Sequence, residues 1–371
     1  MKKMTLCAAV LAALLLLFPL PAGAEGARSS ILIEMETSRV LYENNAHEAL
    51  PMASTTKIMT ALVALENGNL QDMVTCGEHA FGVPGTSIYL SLGEQLTLKQ
   101  MLYGLMLASG NDAAVAVAEH IGGSVPEFCR MMTARAEEIG CENTVFTTPH
   151  GLPAEGHHTT AWDLALITRE AMKNPVFREI VSTQRASLPW AGHEYSRVLN
   201  NKNKLLSTYA GALGVKTGYT KAAGRCLVFA AERNGMTLIG AVLNCPDWFD
   251  EAAALLDRGF ENWQIVTILS QGETVREIPV TGGTQSSVRV IVPSGVAAPV
   301  GTDAWPDLAI DLPDSLPAGI YQGQQVGSVS LMDQGEILIT VPVVAAENVP
   351  ERSFRTGWSR VLSAWPLLSG N

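Results

Sequence analysis

Residues 51–62, Pro-Met-Ala-Ser-Thr-Thr-Lys-Ile-Met-Thr-Ala-Leu, constrain this chain more than any other stretch. Behind Ser54, the apolar residues Ile58, Met59, Ala61, Leu62, Val63 and Leu65 recur at helical spacing, and Asn67-Gly68 supplies a stop. Ser54 is therefore expected to open a helix that must be buried. Ser54 and Lys57, three residues apart, then share one helix face, within reach of each other. A serine hydroxyl becomes a nucleophile when a base takes its proton, and a lysine can be that base only if burial or a second cation keeps it neutral. The first helical turn adds unpaired N–H groups and a positive dipole end, which favour the oxyanion formed when a carbonyl is attacked. The pattern suits acyl transfer. By itself S-x-x-K also describes an N-cap serine followed by a solvent-facing lysine, so the rest of the chain must decide.

The first residues, Met1-Lys2-Lys3, lead into an apolar run from Leu6 to Leu20 and then Ala22-Gly23-Ala24. A basic start, a short apolar run and a small-x-small site read as a secretory leader over 1–24. The run is short for a membrane span. The 371 residues carry a formal charge of −11, which becomes −13 once Lys2 and Lys3 leave with the leader. So acidic an exported chain argues against nucleic acid as a partner. Behind the leader stand Cys76, Cys129, Cys141, Cys226 and Cys245, an odd set without C-x-x-C spacing, which supports neither a zinc site nor a disulfide framework. Cys226 and Cys245 fall in strand-like apolar runs and read as core thiols.

Two strands, 30–36 and 39–43, are expected to enter the first domain as a hairpin around Thr37-Ser38. After the Ser54 helix, residues 74–93 show no trustworthy period. Thr97 then caps a helix carrying Leu98, Met101, Leu102, Leu105 and Met106, and a second apolar helix runs from Ala113 to Ile121. Ser109-Gly110-Asn111 is expected in the short loop between them, held by buried helices at both ends. A hydroxyl and an amide fixed in that way can relay a proton and position a substrate. Ser124-Val125-Pro126 starts another helix that stops at Gly140, and a further helix spans 161–173. His150, His157 and His158 lie in the intervening loop. Adjacent His157 and His158 point apart and no carboxylate has ligand spacing, so neither metal nor cofactor is expected and His150 reads as loop packing.

From Leu213 the pattern turns to strands: 213–220, 224–231 and 236–243, the last two joined by the hairpin signal Asn234-Gly235. Lys216-Thr217-Gly218 sits on the first, offering a cation, a hydroxyl and a residue that lets a substrate backbone approach. A helix over 249–263 should cover this sheet. Beyond Ser270-Gln271-Gly272 the Val, Thr, Pro and Gly content points to a small all-β domain over 272–345. In the tail, Phe354, Trp358, Val361, Leu362 and Trp365 form one stripe, with Arg352, Arg355 and Arg360 off it. An apolar face with basic flanks suits a helix lying in an anionic membrane surface, although a helix packed on its own protein fits the same pattern.

Ser54-x-x-Lys57, Ser109-Gly110-Asn111 and Lys216-Thr217-Gly218 thus follow one another on a helix, a loop and a strand. This ordered set resembles the serine-type D-alanyl-D-alanine carboxypeptidases, the low-molecular-mass penicillin-binding proteins, over nearly the whole chain. The resemblance implies an α+β fold in which a β-lactamase/transpeptidase-like domain, an antiparallel sheet flanked by helices, occupies 25–268. The small all-β domain (272–345) and the C-terminal amphipathic helix (350–371) follow. It implies that Ser54 is the acylated nucleophile, Lys57 its base and Ser109 a proton relay, with Asn111 on the substrate amide. Lys216 and Thr217 would hold the terminal carboxylate, and the N–H groups of Ser54 and Tyr219 the oxyanion. The implied substrate is the pentapeptide stem of peptidoglycan, cut at its last D-Ala, with β-lactams as inhibitors that acylate the same serine. The place of action would be the outer face of the cytoplasmic membrane, within the cell envelope. The E-x-x-L-N pattern of a class A β-lactamase is missing between Ser109 and Lys216. A DD-transpeptidase and a non-hydrolytic penicillin sensor share the motifs and remain the alternatives.

Overall fold

The computed structural model describes residues 26–301, 305–333 and 335–352. The leader expected over 1–24 and the amphipathic stripe from Phe354 onward lie outside them. The chain forms two compact units: 40–261 with the residues up to Glu36, and Asn262 onward with Thr37–Arg39.

The first unit is built on a five-stranded sheet of β1 (Ser29–Glu34), β2 (Val40–Asn44), β7 (Ala212–Thr220), β8 (Gly224–Arg233) and β9 (Met236–Leu243), in the order β2-β1-β9-β8-β7 and antiparallel throughout. Asn234 and Gly235 both take positive φ, 51° and 77°, the geometry that turns a two-residue hairpin between β8 and β9. Side chains alternate between faces. Ile31, Ile33, Val228, Ala230, Ile239 and Ala241 join the main core, whereas Leu32, Leu227, Phe229, Leu238 and Val242 are equally buried but lie outside that cluster. Both faces are therefore covered, as the near-continuous apolar runs require.

The core-side helices are α1 (Lys57–Asn67), α2 (Leu98–Met106), α3 (Asn111–Gly122), α4 (Val125–Ile139), α5 (Ala161–Met172) and α6 (Pro175–Ser182), followed by the single turn α7 (Leu205–Thr208) and by α8 (Trp248–Asn262). Their ends follow local chemistry. Thr97 and Gln100 make a reciprocal capping box on α2. Ser124 caps α4, which Gly140 ends in the left-handed region at φ 98°. Asn174 accepts from the Val176 and Phe177 N–H groups ahead of α6. α1 is buried along Lys57–Ala64 and packs against α2 through α6. Two short ribbons complete the unit: β3 (Met73–Thr75) with β4 (Gln95–Thr97), and β5 (Arg185–Leu188) with β6 (Arg197–Asn200).

The second unit starts with β10 (Trp263–Leu269), which pairs with β13 (Val296–Gly301). That pairing carries the unit to Asn262, ahead of the turn at 270–272 where the sequence pattern changes. A six-stranded sheet orders β14 (Asp307–Asp311), β16 (Gln325–Asp333), β17 (Glu336–Ala345), β12 (Ser287–Ile291), β11 (Thr274–Thr281) and β15 (Leu316–Pro317). Ile278, Val280, Val288, Val290, Val329, Leu331 and Val343 form its own core. Among the described residues no helix is long and apolar enough to cross a membrane.

Candidate active site

Ser54 does not open the α-helix. It sits in a 3-10 turn, Ala53–Thr56, and the α-helix proper starts at Lys57. The tight turn is imposed from outside. Ala53 is held at φ 50°, a region that costs a non-glycine residue of order 1–3 kcal/mol, and three neighbours pin it there. The Thr56 hydroxyl donates to the Ala53 carbonyl at 2.8 Å. His157, whose Nδ1 accepts from the Thr147 N–H at 3.1 Å, meets the same hydroxyl through Nε2 at 2.9 Å. Burial and then the His158 charge hold His157 down to about 4, so the ring is neutral and its one N–H lies on Nε2, facing Thr56. Gly151, at φ 87°, packs so close that a Cβ there would stand 1.8 Å from the Ala53 oxygen.

Lys57 is wholly buried, and its Nζ has three partners: Ser54 Oγ at 3.0 Å, Asn111 Oδ1 at 2.8 Å and the His150 carbonyl at 2.8 Å. Two of these can only accept. A neutral amine has two hydrogens and one lone pair, so the hydrogens go to Asn111 and His150 and the lone pair is left facing the Ser54 hydroxyl. Burial, foremost, then the charges of Lys216 and Lys202 push the Lys57 ammonium well below its ordinary value, against a smaller opposite effect of Asp112. The shift runs toward the neutral form that a base requires.

Asn111 is oriented from both ends, its Nδ2 donating to the Pro84 carbonyl at 2.6 Å. It is the first residue of α3 rather than a loop residue, whereas Ser109 does lie in the connection, buried and at φ 65°. The next residue, Asp112, ties the aperiodic stretch near Ile88 to α3, accepting from Ser87 Oγ at 2.6 Å and from the Ile88 and Leu90 N–H groups.

Lys216 and Thr217 are buried on β7, with Lys216 Nζ donating to the Thr217 carbonyl at 2.8 Å. Burial, then Lys202, lowers Lys216 to about 7. Tyr219, two residues on, is 63% exposed. Gly218 has a different reason from the one its type suggests. A Cβ there would meet Ser54 N at 2.8 Å and Ala53 Cβ and Met52 O at 3.1 Å, so the glycine lets β7 close on the Ser54 turn itself.

Two contributors carry no sequence signal. His150 acts through its backbone oxygen, which any residue would supply, while its ring accepts from the Leu152 N–H and is pushed down to about 4 by burial and then by Lys57. Lys202 lies in a loop behind β6, reaches Thr86 Oγ1 at 3.5 Å and is itself lowered by burial. Its charge acts on both Lys57 and Lys216.

The family model for D-alanyl-D-alanine carboxypeptidase matches residues 21–247, and the model for the C-terminal domain of penicillin-binding protein 5 matches residues 263–351. D-alanyl-D-alanine carboxypeptidase DacF of Bacillus subtilis is 36% identical over 92% of this chain and 90% of its own length. The structure of penicillin-binding protein 5 from Haemophilus influenzae superimposes with a TM-score of 0.73 at 29% identity, over 88% of this chain and 98% of that one. A Streptomyces K15 DD-transpeptidase variant matches at 35% identity and a TM-score of 0.61, but over 64% of this chain.

Proposed function

The chain belongs to the D-alanyl-D-alanine carboxypeptidase family, a hydrolase that removes the terminal D-Ala of peptidoglycan stems, and from that premise we propose that it works through an acyl-Ser54 intermediate. The observation that carries this reading is the buried Lys57 amine, whose carbonyl partners leave its lone pair for the Ser54 hydroxyl.

In the proposed reaction, neutral Lys57 takes the Ser54 proton while Oγ attacks the carbonyl of the penultimate D-Ala. The oxyanion is received by the Ser54 and Tyr219 N–H groups, one on the 3-10 turn and one on the strand that Gly218 brings against it. The carbon–nitrogen bond breaks, the proton passes from Lys57 by way of Ser109 to the leaving D-Ala amine, and water then releases the shortened stem. Asn111 holds the substrate amide, and Lys216 with Thr217 holds the terminal carboxylate. A bound carboxylate favours the ammonium of Lys216, offsetting the burial that brings it to about 7 in the free site. A β-lactam enters as a mimic of the same D-Ala-D-Ala end and acylates the same oxygen.

The sequence supports the remaining parts. The 1–24 leader would export the chain to the cell envelope, the catalytic part would lie within 25–268, the β-rich domain within 272–345 would serve as a stalk or partner surface, and the basic, Trp-bearing tail would rest on the outer face of the cytoplasmic membrane. The reaction is tested by D-alanine release from a peptide ending in Lys-D-Ala-D-Ala. Steady release by the mature protein and none by Ser54→Ala is expected. Release that survives Ser54→Ala refutes the nucleophile, and stable penicillin labelling without any release would mark a transpeptidase awaiting an amine acceptor, or a sensor.

A further inference from the structure

The ribbon of β5 and β6 pairs Arg185–Leu188 with Arg197–Asn200 and leaves an eight-residue tip, Pro189–Ser196. A surface tip of this kind is ordinarily polar, yet this one carries three rings packed on one another. Trp190 and His193 have centroids 4.4 Å apart, His193 and Tyr195 5.0 Å, and Trp190 and Tyr195 5.7 Å at 88°. Tyr195 is 62% exposed and His193 is exposed as well, so the cluster is no part of the core.

The tip is anchored from below. The buried Arg197 guanidinium lies 5.2 Å from the Trp190 ring, and its Nη2 donates to both oxygens of the buried Glu94 carboxylate at 2.9 and 3.1 Å and to the Tyr89 carbonyl at 3.2 Å. A desolvated, doubly bonded arginine against an aromatic face holds that ring in one orientation before any ligand arrives. Between the tip and β4 lies a concavity of about 280 Å³, lined by Glu94, Gln95, Trp190, His193, Glu194 and Tyr195. Flat rings beside amide and carboxylate groups match the two sides of a pyranose, whose C–H face packs on aromatics and whose hydroxyl and acetamide groups seek hydrogen bonds.

Chain length bounds how far the tip can stand from the lysines of the site. Lys202, which lowers both Lys57 and Lys216, is seven residues beyond Tyr195 through β6 and its continuation, at most about 23 Å at strand rise. A stem peptide with its fourth carbonyl at Ser54 extends about 13 Å back to its first residue before the linker to the sugar is added. The two lengths are of the same order.

We propose that the aromatic tip of the β5–β6 ribbon is a sugar-binding platform that takes a pyranose of the glycan strand carrying the stem peptide. The proposal rests on the carboxypeptidase reading above and adds the glycan as a second recognised part of the substrate.

The test compares KM for D-alanine release from a disaccharide-pentapeptide with KM for the same pentapeptide without sugar, in the wild type, Tyr195→Ala, Tyr195→Phe and Trp190→Ala. The wild type should have the lower KM for the sugar-bearing substrate. Tyr195→Ala and Trp190→Ala should raise that KM roughly fivefold, as loss of one aromatic contact implies, leave the bare peptide unchanged, and Tyr195→Phe should restore it. Equal KM values for the two substrates in the wild type, or an equal rise for both in the variants, overturns the platform. The exposed Tyr195 keeps the test open if Trp190→Ala fails to fold. Absence of release from the bare pentapeptide would instead count against the reaction. In that case retention on glycan strands stripped of their stem peptides decides, with binding lost in Tyr195→Ala supporting the platform and equal retention refuting it.

Discussion

Adding one methyl group at position 218 should uncouple Ser54, the proposed nucleophile, from the strand beside it. In Gly218→Ala the new Cβ would stand 2.8 Å from the backbone nitrogen of Ser54, and 3.1 Å from both Ala53 Cβ and Met52 O, where ordinary contact begins at 3.4 Å. Two of these three atoms belong to the backbone of a clamped turn, so no side chain can swing away to relieve the contact. Restoring the first contact to its ordinary distance parts β7 from the 3-10 turn by about 0.6 Å. A misplacement of 1 Å costs about 100-fold in rate, so this shift should lower the acylation rate roughly tenfold to twentyfold. Overpacking should cost about 1–3 kcal/mol of stability in addition. The assay is the second-order rate of labelling by a fluorescent penicillin, with urea unfolding on the same samples. Gly26→Ala, whose Cβ would meet nothing within 4 Å, is the control. Labelling of Gly218→Ala within twofold of the wild type would refute the claim that the strand and the turn must touch here.

Lys202→Gln removes a positive charge that lowers both Lys57 and Lys216, so both should titrate at higher pH. In the proposed reaction acylation rises as Lys57 loses its proton and falls as Lys216 loses its own, so the whole bell-shaped profile of labelling rate against pH should move upward. An unmoved profile, or one moved downward, contradicts the assigned roles. Removing residues 351–371 should leave D-alanine release in solution intact and weaken sedimentation with anionic vesicles, whereas unchanged sedimentation would mean that the tail packs on its own protein.

The large elements were legible because their signals are local. The helical spacing from Ile58 to Leu65, the Thr97 and Ser124 caps, the Gly140 stop and the Asn234-Gly235 turn each depend on a few adjacent residues, and the structure places these as read, although the first helix starts at Lys57 and not at Ser54. The three motifs were legible for the same reason. What the sequence did not reveal is tertiary. The 3-10 start at Ala53 arises from Gly151 and His157, about 100 positions away, which override the helical preference of the segment. Asn111 belongs to α3 because its backbone, not its composition, continues the helix. The β5–β6 ribbon leaves little signal because its strands, Arg185–Leu188 and Arg197–Asn200, are four residues each, too short for a period to show, and β10 because Trp263 follows directly on the last turn of α8. The His150 oxygen and the Lys202 charge enter the site through geometry alone.

In the proposed reaction Ser54 carries the oxygen that is acylated and Lys57 is the group that frees it. Peptide mapping of the penicillin adduct by mass spectrometry, in the wild type and in Lys57→Ala, measures both at once. A single adduct is expected on the peptide containing Ser54, with a rate of formation in Lys57→Ala lower by at least about 100-fold, the scale of a lost general base. An adduct on Ser109, or wild-type labelling without Lys57, would contradict it.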